Sequence, residues 1–138
     1  AMFYVLVKTG FGASLRTFGC NKKRLNTDNF ADIEARLDGV VIENKDFEDL
    51  IKVYDREKAL FYCDPPCHKT ERHYTVKFTE DDHERLCRVL HQIKGRFVLS
   101  YNDDKYVRDL YKDYNIQAVT RNNSLSSGDF KEVIITNF

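Results

Sequence analysis

The sequence predicts an α/β fold: a mainly parallel sheet with helices in its crossovers and an antiparallel edge. Three observations predict it. Short apolar, β-prone runs at residues 40–42, 59–63 and 97–100 alternate with stretches whose apolar residues fall at helical spacing. Two further β-prone runs, 116–120 and 133–138, follow one another with only a polar loop between them, which is hairpin order. Strand–helix–strand alternation in a single sheet calls for right-handed crossovers between parallel strands.

The elements follow in chain order. Residues 3–7 (Phe3-Tyr4-Val5-Leu6-Val7) are β-prone and lead into Gly10-Phe11-Gly12. This is not a dinucleotide fingerprint, because its third glycine would fall at Leu15 and no acidic residue follows at the required distance. Residues 10–29 are rich in Gly, Ser, Thr, Asn and Lys and read as loop or hairpin. Residues 28–37 form a short helix with Phe30, Ile33 and Leu37 on one stripe and Gly39 as its stop. Residues 40–42 are a strand, and 44–46 a turn. Phe47, Leu50, Ile51 and Tyr54 then fall at i, i+3, i+4 and i+7, the stripe of a helix packed on a sheet. Asp46 in front of it reads as a helix cap and Phe47 as a core aromatic.

Residues 59–63 (Ala59-Leu60-Phe61-Tyr62-Cys63) are the central strand, and Asp64-Pro65-Pro66 stops it. Consecutive prolines cannot continue a ladder and fix the backbone in an extended turn. The Asp64 carboxylate is thereby held at the carboxyl end of a strand, where open α/β sheets place ligands. Pro66 has no N–H to tie up the Pro65 carbonyl. A carboxylate and a free carbonyl side by side form a rigid double acceptor, suited to an amino group. The following residues, 67–75, are polar and read as a mobile lid or substrate loop. Cys63, Cys67, His68 and His73 raise the question of zinc, but no second Cys pair follows at finger spacing and Cys63 belongs to the core side of its strand, so no metal is expected.

Thr79 caps the next helix, with Asp82 completing an imperfect capping box; Leu86, Leu90 and Ile93 are its buried face, His83 and His91 its polar side, and Gly95 its end. Residues 97–100 are a second buried strand. Val107, Leu110, Tyr111 and Tyr114 mark another helix, and the two closing strands follow.

Length and composition bound the function. A chain of 138 residues with 42% apolar and 13% aromatic residues is one folded domain with a core. No apolar run approaches 18 residues, so no transmembrane helix and no membrane partner is expected. Ala1-Met2 reads as a cloning remnant ahead of a start methionine, and no signal peptide is expected. Cys20, Cys63, Cys67 and Cys87 have no disulfide-framework pattern, so free thiols and a cytoplasmic setting are expected. Net charge is zero, but residues 1–30 carry five basic side chains (Lys8, Arg16, Lys22, Lys23, Arg24) against Asp28, a net +4. Such a front end suits a polyanion, and equally a plain solvated loop.

Asp64-Pro65-Pro66 after an apolar strand, then residues 78–86, then Leu99-Ser100-Tyr101-Asn102, then Arg121-Asn122-Asn123, together resemble the Dam-type N6-adenine DNA methyltransferases, whose signature is Asp-Pro-Pro-Tyr. The likeness spans residues 3–138. It implies a partial Rossmann-like methyltransferase sheet. Residues 1–39 would be the end of a target-recognition region and 40–138 the C-terminal part of the catalytic domain, the chain being truncated at its N-terminus. It implies methyl transfer from S-adenosylmethionine to adenine in DNA, of the kind found in restriction-modification.

By the same resemblance Asp64, Pro65, Pro66 and Cys67 are the catalytic residues, and Asp46, Phe47 and Asp64 are the cofactor contacts. Arg16, Lys22, Lys23, Arg24, Arg121, Asn122 and Asn123 are the DNA contacts. Cys67 stands where the family has Tyr, and it lacks the ring on which an extruded base stacks, worth about 1–3 kcal/mol per base. A catalytically inactive remnant that binds DNA or a partner subunit is therefore the alternative. A sheet cut short would expose an edge, so a homodimer across that edge is expected.

Overall fold

The computed structural model describes residues 30–70, 77–122 and 129–138. The chain divides into two compact units, Ala1–Glu43 and Asn44–Phe138. In the first, helix α1 (Phe30–Leu37) carries Asp32 in its first turn and Arg36 in its last, each on the favourable end of the helix dipole. Gly39, at φ 77°, follows the helix in the left-handed conformation that stops it. Residues 40–42 are not a strand. Three β-prone residues hold a strand only through a ladder, and they have none among the described residues. The expected strand at 3–7 and the loop at 10–29 lie outside the described residues.

In the second unit, α2 (Phe47–Tyr54), β1 (Leu60–Cys63), α3 (Glu80–Gln92), β2 (Arg96–Asn102), α4 (Lys105–Leu110), β3 (Asn115–Asn122) and β4 (Asp129–Thr136) follow in order. The strands form one sheet in the order β1-β2-β4-β3. Among the described residues only β1 and β2 pair in parallel; β2–β4 and β4–β3 are antiparallel. The expected mainly parallel sheet is thus corrected to a mixed, mostly antiparallel sheet with one parallel pair among the described strands, while the closing hairpin does form an antiparallel edge, with β4 inside and β3 outermost. The reason lies in the second crossover. It returns β3 in the direction of β2 but one strand-width away, and the final hairpin folds β4 back into that gap.

The core lies on one face of the sheet. Phe97, Leu99 and Tyr101 of β2 and Val133 and Ile135 of β4 pack against Ile51 of α2, Leu86, Val89 and Leu90 of α3, and Val107 and Tyr111 around α4. The residues between them on the strands are less buried, as the period of two requires. Among the described residues β1 lies at one edge of the sheet, with Leu60 and Tyr62 exposed and Phe61 and Cys63 turned toward the core.

Loop connections are fixed by side chains. Both carboxylate oxygens of Asp55, after α2, accept from the Lys94 N–H at 3.0 Å, and one also accepts from Gly95. Asn137 donates to the Gly95 carbonyl and accepts from the Phe97 N–H. Gly95 has no room for a side chain, because a Cβ there would lie 2.8 Å from the Ala59 carbonyl oxygen and 2.9 Å from that of Arg56. Thr79 and Asp82 make a complete capping box at the start of α3, worth about 1 kcal/mol. Helix α4 ends at Leu110, earlier than its apolar stripe suggests, yet Tyr111 is fully buried in the turn that follows. His83, expected on the polar side of α3, is buried, with its Nδ1 2.6 Å from the Tyr101 hydroxyl.

Candidate active site

The strand–turn signal at residues 59–66 is realised at the carboxyl end of β1. A cavity of about 360 Å³ opens there, walled by Phe47, Leu50 and Ile51 of α2, by Leu60 to Pro65, and by Phe78 and Leu86. Its wall is apolar and aromatic except for the exposed Asp64. This composition suits a flat, largely apolar ligand with one polar or cationic end.

Asp64 does not stand alone. Ser100 Oγ, on the neighbouring strand, donates to Asp64 Oδ1 at 2.9 Å, and the Tyr62 hydroxyl lies 3.5 Å from the same Oγ. With the Ser100 hydrogen committed to the carboxylate, the Tyr62 hydroxyl is the donor in the second contact. The pairing of Cys63 with Leu99 brings Ser100 abreast of Asp64. In the sequence Ser100 stood in a buried strand and in one of the segments that carry the resemblance, with no role of its own; the register of β1 on β2 reveals its part.

Pro66 and Cys67 are half-buried and lie outside the cavity wall. The chain beyond them, expected to be mobile, is anchored over its described part. His68 is 5% exposed. Its Nδ1 donates to Asp104 Oδ1 at 3.0 Å, its ring stacks on Tyr106 at 4.4 Å, and its carbonyl accepts from Asn102. Lys69 donates to the other oxygen of Asp104 at 3.1 Å. Burial pushes the Asp104 carboxyl upward, but the Lys69 ammonium, the Tyr106 N–H and His68 outweigh it and hold the group below the usual carboxylate range. Residues 71–76, including His73, lie outside the described residues. Burial pushes the Cys63 thiol up to about 11.

Next in sequence to the cavity residue Phe47, and outside the cavity wall, Asp46 caps α2, accepting from the Glu48 N–H at 2.9 Å. Arg85 of α3 grips the same carboxylate with both arms, at 2.7 and 3.0 Å, and reaches Asp82 at 2.9 Å and Glu48 at 3.4 Å. Its guanidinium lies 4.1 Å from the centre of the Phe47 ring. The bond from Arg85 holds the Asp46 carboxyl below its ordinary value, and the Asp46 bond in turn raises the guanidinium further. The helix-cap role read for Asp46 from the sequence is therefore present, and Phe47 lines the cavity.

Arg121 and Asn122 close β3. Arg16, Lys22, Lys23, Arg24 and Asn123 lie outside the described residues. Among the described residues, no helix is long and apolar enough to cross a membrane.

Compared with known families, residues 8–125 match the model described as D12 class N6 adenine-specific DNA methyltransferase. No curated protein matches the chain.

Proposed function

The chain belongs to the D12 class N6 adenine-specific DNA methyltransferase family, and from that premise we propose that it serves methyl transfer from S-adenosylmethionine to the N6 amine of adenine in DNA. The observation that carries the reading is a single cavity walled at once by Phe47 and by the Asp64-Pro65 turn. A volume of about 360 Å³ is at the lower end of small-molecule sites and fits the adenosyl end of the cofactor. Phe47 would pack on the adenine and Asp46 would accept from its exocyclic amine. When bound, the cofactor supplies an electrophilic methyl group on a sulfonium.

The chain's own residues prepare the nucleophile. An adenine amine is a poor one, because its lone pair is delocalised into the ring. Asp64 and the Pro65 carbonyl would accept its two N–H groups and favour the tetrahedral nitrogen that can attack. Ser100 fixes the rotamer of Asp64 for that purpose, so positioning and electrostatics carry the catalysis. Pro66 and Cys67 continue the same rigid turn. The basic side chains Arg16, Lys22, Lys23 and Arg24, with Arg121, Asn122 and Asn123, would meet DNA phosphates or bases. The sheet is read as part of a Rossmann-like methyltransferase sheet, and the β1 edge of the described sheet, with Leu60 and Tyr62 exposed beside it, as the seam of a homodimer. The setting is cytoplasmic, as in restriction-modification.

A specific observation favours a second reading. Cys67 gives no aromatic platform for an extruded base, which suits an inactive remnant that binds DNA or a partner subunit. Calorimetric titration of S-adenosylmethionine into the purified chain, followed by methylation of adenine-containing duplexes, separates the two. Micromolar binding with methyl transfer that Asp64→Ala abolishes supports the enzyme. Binding of duplex without transfer, unrescued by Cys67→Tyr, supports the remnant.

A further inference from the structure

We propose that Arg85 is the positioning residue that makes the cofactor cavity selective for an adenine ring; the inference rests on the reading of that cavity given above. Asp46 and Phe47, the two residues assigned to the ring, are adjacent in sequence but are both held by one side chain 39 positions after the first of them. The guanidinium meets the Asp46 carboxylate as a fork on a fork, 2.7 and 3.0 Å, a geometry that fixes the plane of the carboxylate as well as its distance. Its flat face covers Phe47 at 4.1 Å and so restrains the ring's tilt.

Arg85 is itself fixed. Asp82, one turn earlier on α3, accepts from it at 2.9 Å and is locked in the capping box with Thr79. The cluster sets three carboxylates, Asp46, Glu48 and Asp82, against two cations, the Arg85 guanidinium and the Lys52 ammonium that pairs with Glu48 at 2.6 Å. That leaves a surplus of negative charge beside Phe47. A further partner of Asp46 must then be a donor, such as an exocyclic amine, and a carbonyl in the same place is repelled. An adenine ring satisfies this and a hypoxanthine ring does not.

The test is calorimetric titration of S-adenosylhomocysteine and of its inosyl counterpart, neither of which carries a transferable methyl group. The wild-type chain, Arg85→Gln and Arg85→Lys are titrated, each checked for folding by thermal melting. The wild type is expected to prefer the adenosyl ligand by about 10-fold or more, the scale of one correctly paired hydrogen bond against an opposed one. Arg85→Gln should bring that ratio close to one, and Arg85→Lys, which keeps the charge but loses the fork, should lower it about 3-fold. A structural role alone would weaken both ligands equally and leave the ratio intact, and that result overturns the inference. Equal binding of both ligands by the wild type overturns it as well. If Arg85→Gln does not fold, an unchanged ratio in Arg85→Lys does the same. A wild type that binds neither ligand overturns the reading of the cavity itself and this inference with it, whereas a variant that binds with undiminished preference removes only the role of Arg85.

Discussion

Ser100 Oγ donates to Asp64 Oδ1 across 2.9 Å, from the middle of one strand to the turn that ends its parallel neighbour. A carboxylate at an exposed turn is otherwise free to rotate, and this bond selects one orientation. Ser100→Ala should lower single-turnover methyl transfer to duplex DNA by about 3- to 10-fold, the value of one hydrogen bond that sets geometry. Asp64→Asn, which exchanges an acceptor for a donor, should lower it by about 100-fold or more. Equal rates for Ser100→Ala and the wild type would show that Asp64 is positioned by something else.

The junction of α2, β1 and β2 is stitched at Asp55 and Gly95. Asp55→Ala leaves the Lys94 and Gly95 N–H groups without their carboxylate. Gly95→Ala drives a methyl group into two backbone carbonyls that cannot swing aside, at about 1–3 kcal/mol. Urea denaturation of each variant measures these losses. Both should lower the midpoint with little change in slope.

Acid should unfold the chain in a predictable window. Asp46 and Asp103 are held low by arginine, Asp55 and Asp82 by backbone N–H groups, and Asp104 by Lys69 against its burial, all below the ordinary value of 3.8. Each therefore binds fewer protons folded than unfolded. Their stabilisation is complete above the unfolded value and is lost as pH falls through the lowered ones. Urea midpoints should be flat from about pH 7 to about pH 5 and fall steeply below about pH 4.

Cys63 should be chemically quiet. Burial lifts its thiol to about 11, and the Cys87 thiol is raised by the same cause. Alkylation at about pH 8 should leave Cys63 largely unmodified in the native chain and modify it rapidly in urea, since only the thiolate reacts. Peptide mass spectrometry reads the difference directly. Rapid native labelling would mean that β1 opens at its edge.

Much of the site was legible because its signals are local. Proline chemistry marked the end of β1 at Asp64, and the stripe of Phe47, Leu50, Ile51 and Tyr54 marked α2. What was not legible depends on who lies beside whom. Ser100 gained its role only from strand register. His83 sits on a helix face that its charged neighbours made look polar, and a tyrosine from β2 draws it inside. Arg85 reads as one of several charges in α3, and no spacing rule connects it to Asp46. The parallel sheet was inferred from alternation, which tells how strands are connected but not which strand fills a gap. The triad Val40-Val41-Ile42 had β propensity without a ladder among the described residues.

The place of β4 has a consequence for how the chain is made. Synthesis delivers β1, α3 and β2 first, and these can close one parallel pair. β3 comes next and finds no described neighbour to bond with, since β4 is the strand that joins it to the sheet. The keystone of the described sheet is thus made after both of its partners, and with it arrive Val133 and Ile135, two residues with no exposed surface. A nascent chain halted before Asp129 would carry β3 as an adhesive ribbon and β2 with an unprotected flank. Chaperone demand should accordingly persist until β4 has left the ribosome and closed the gap.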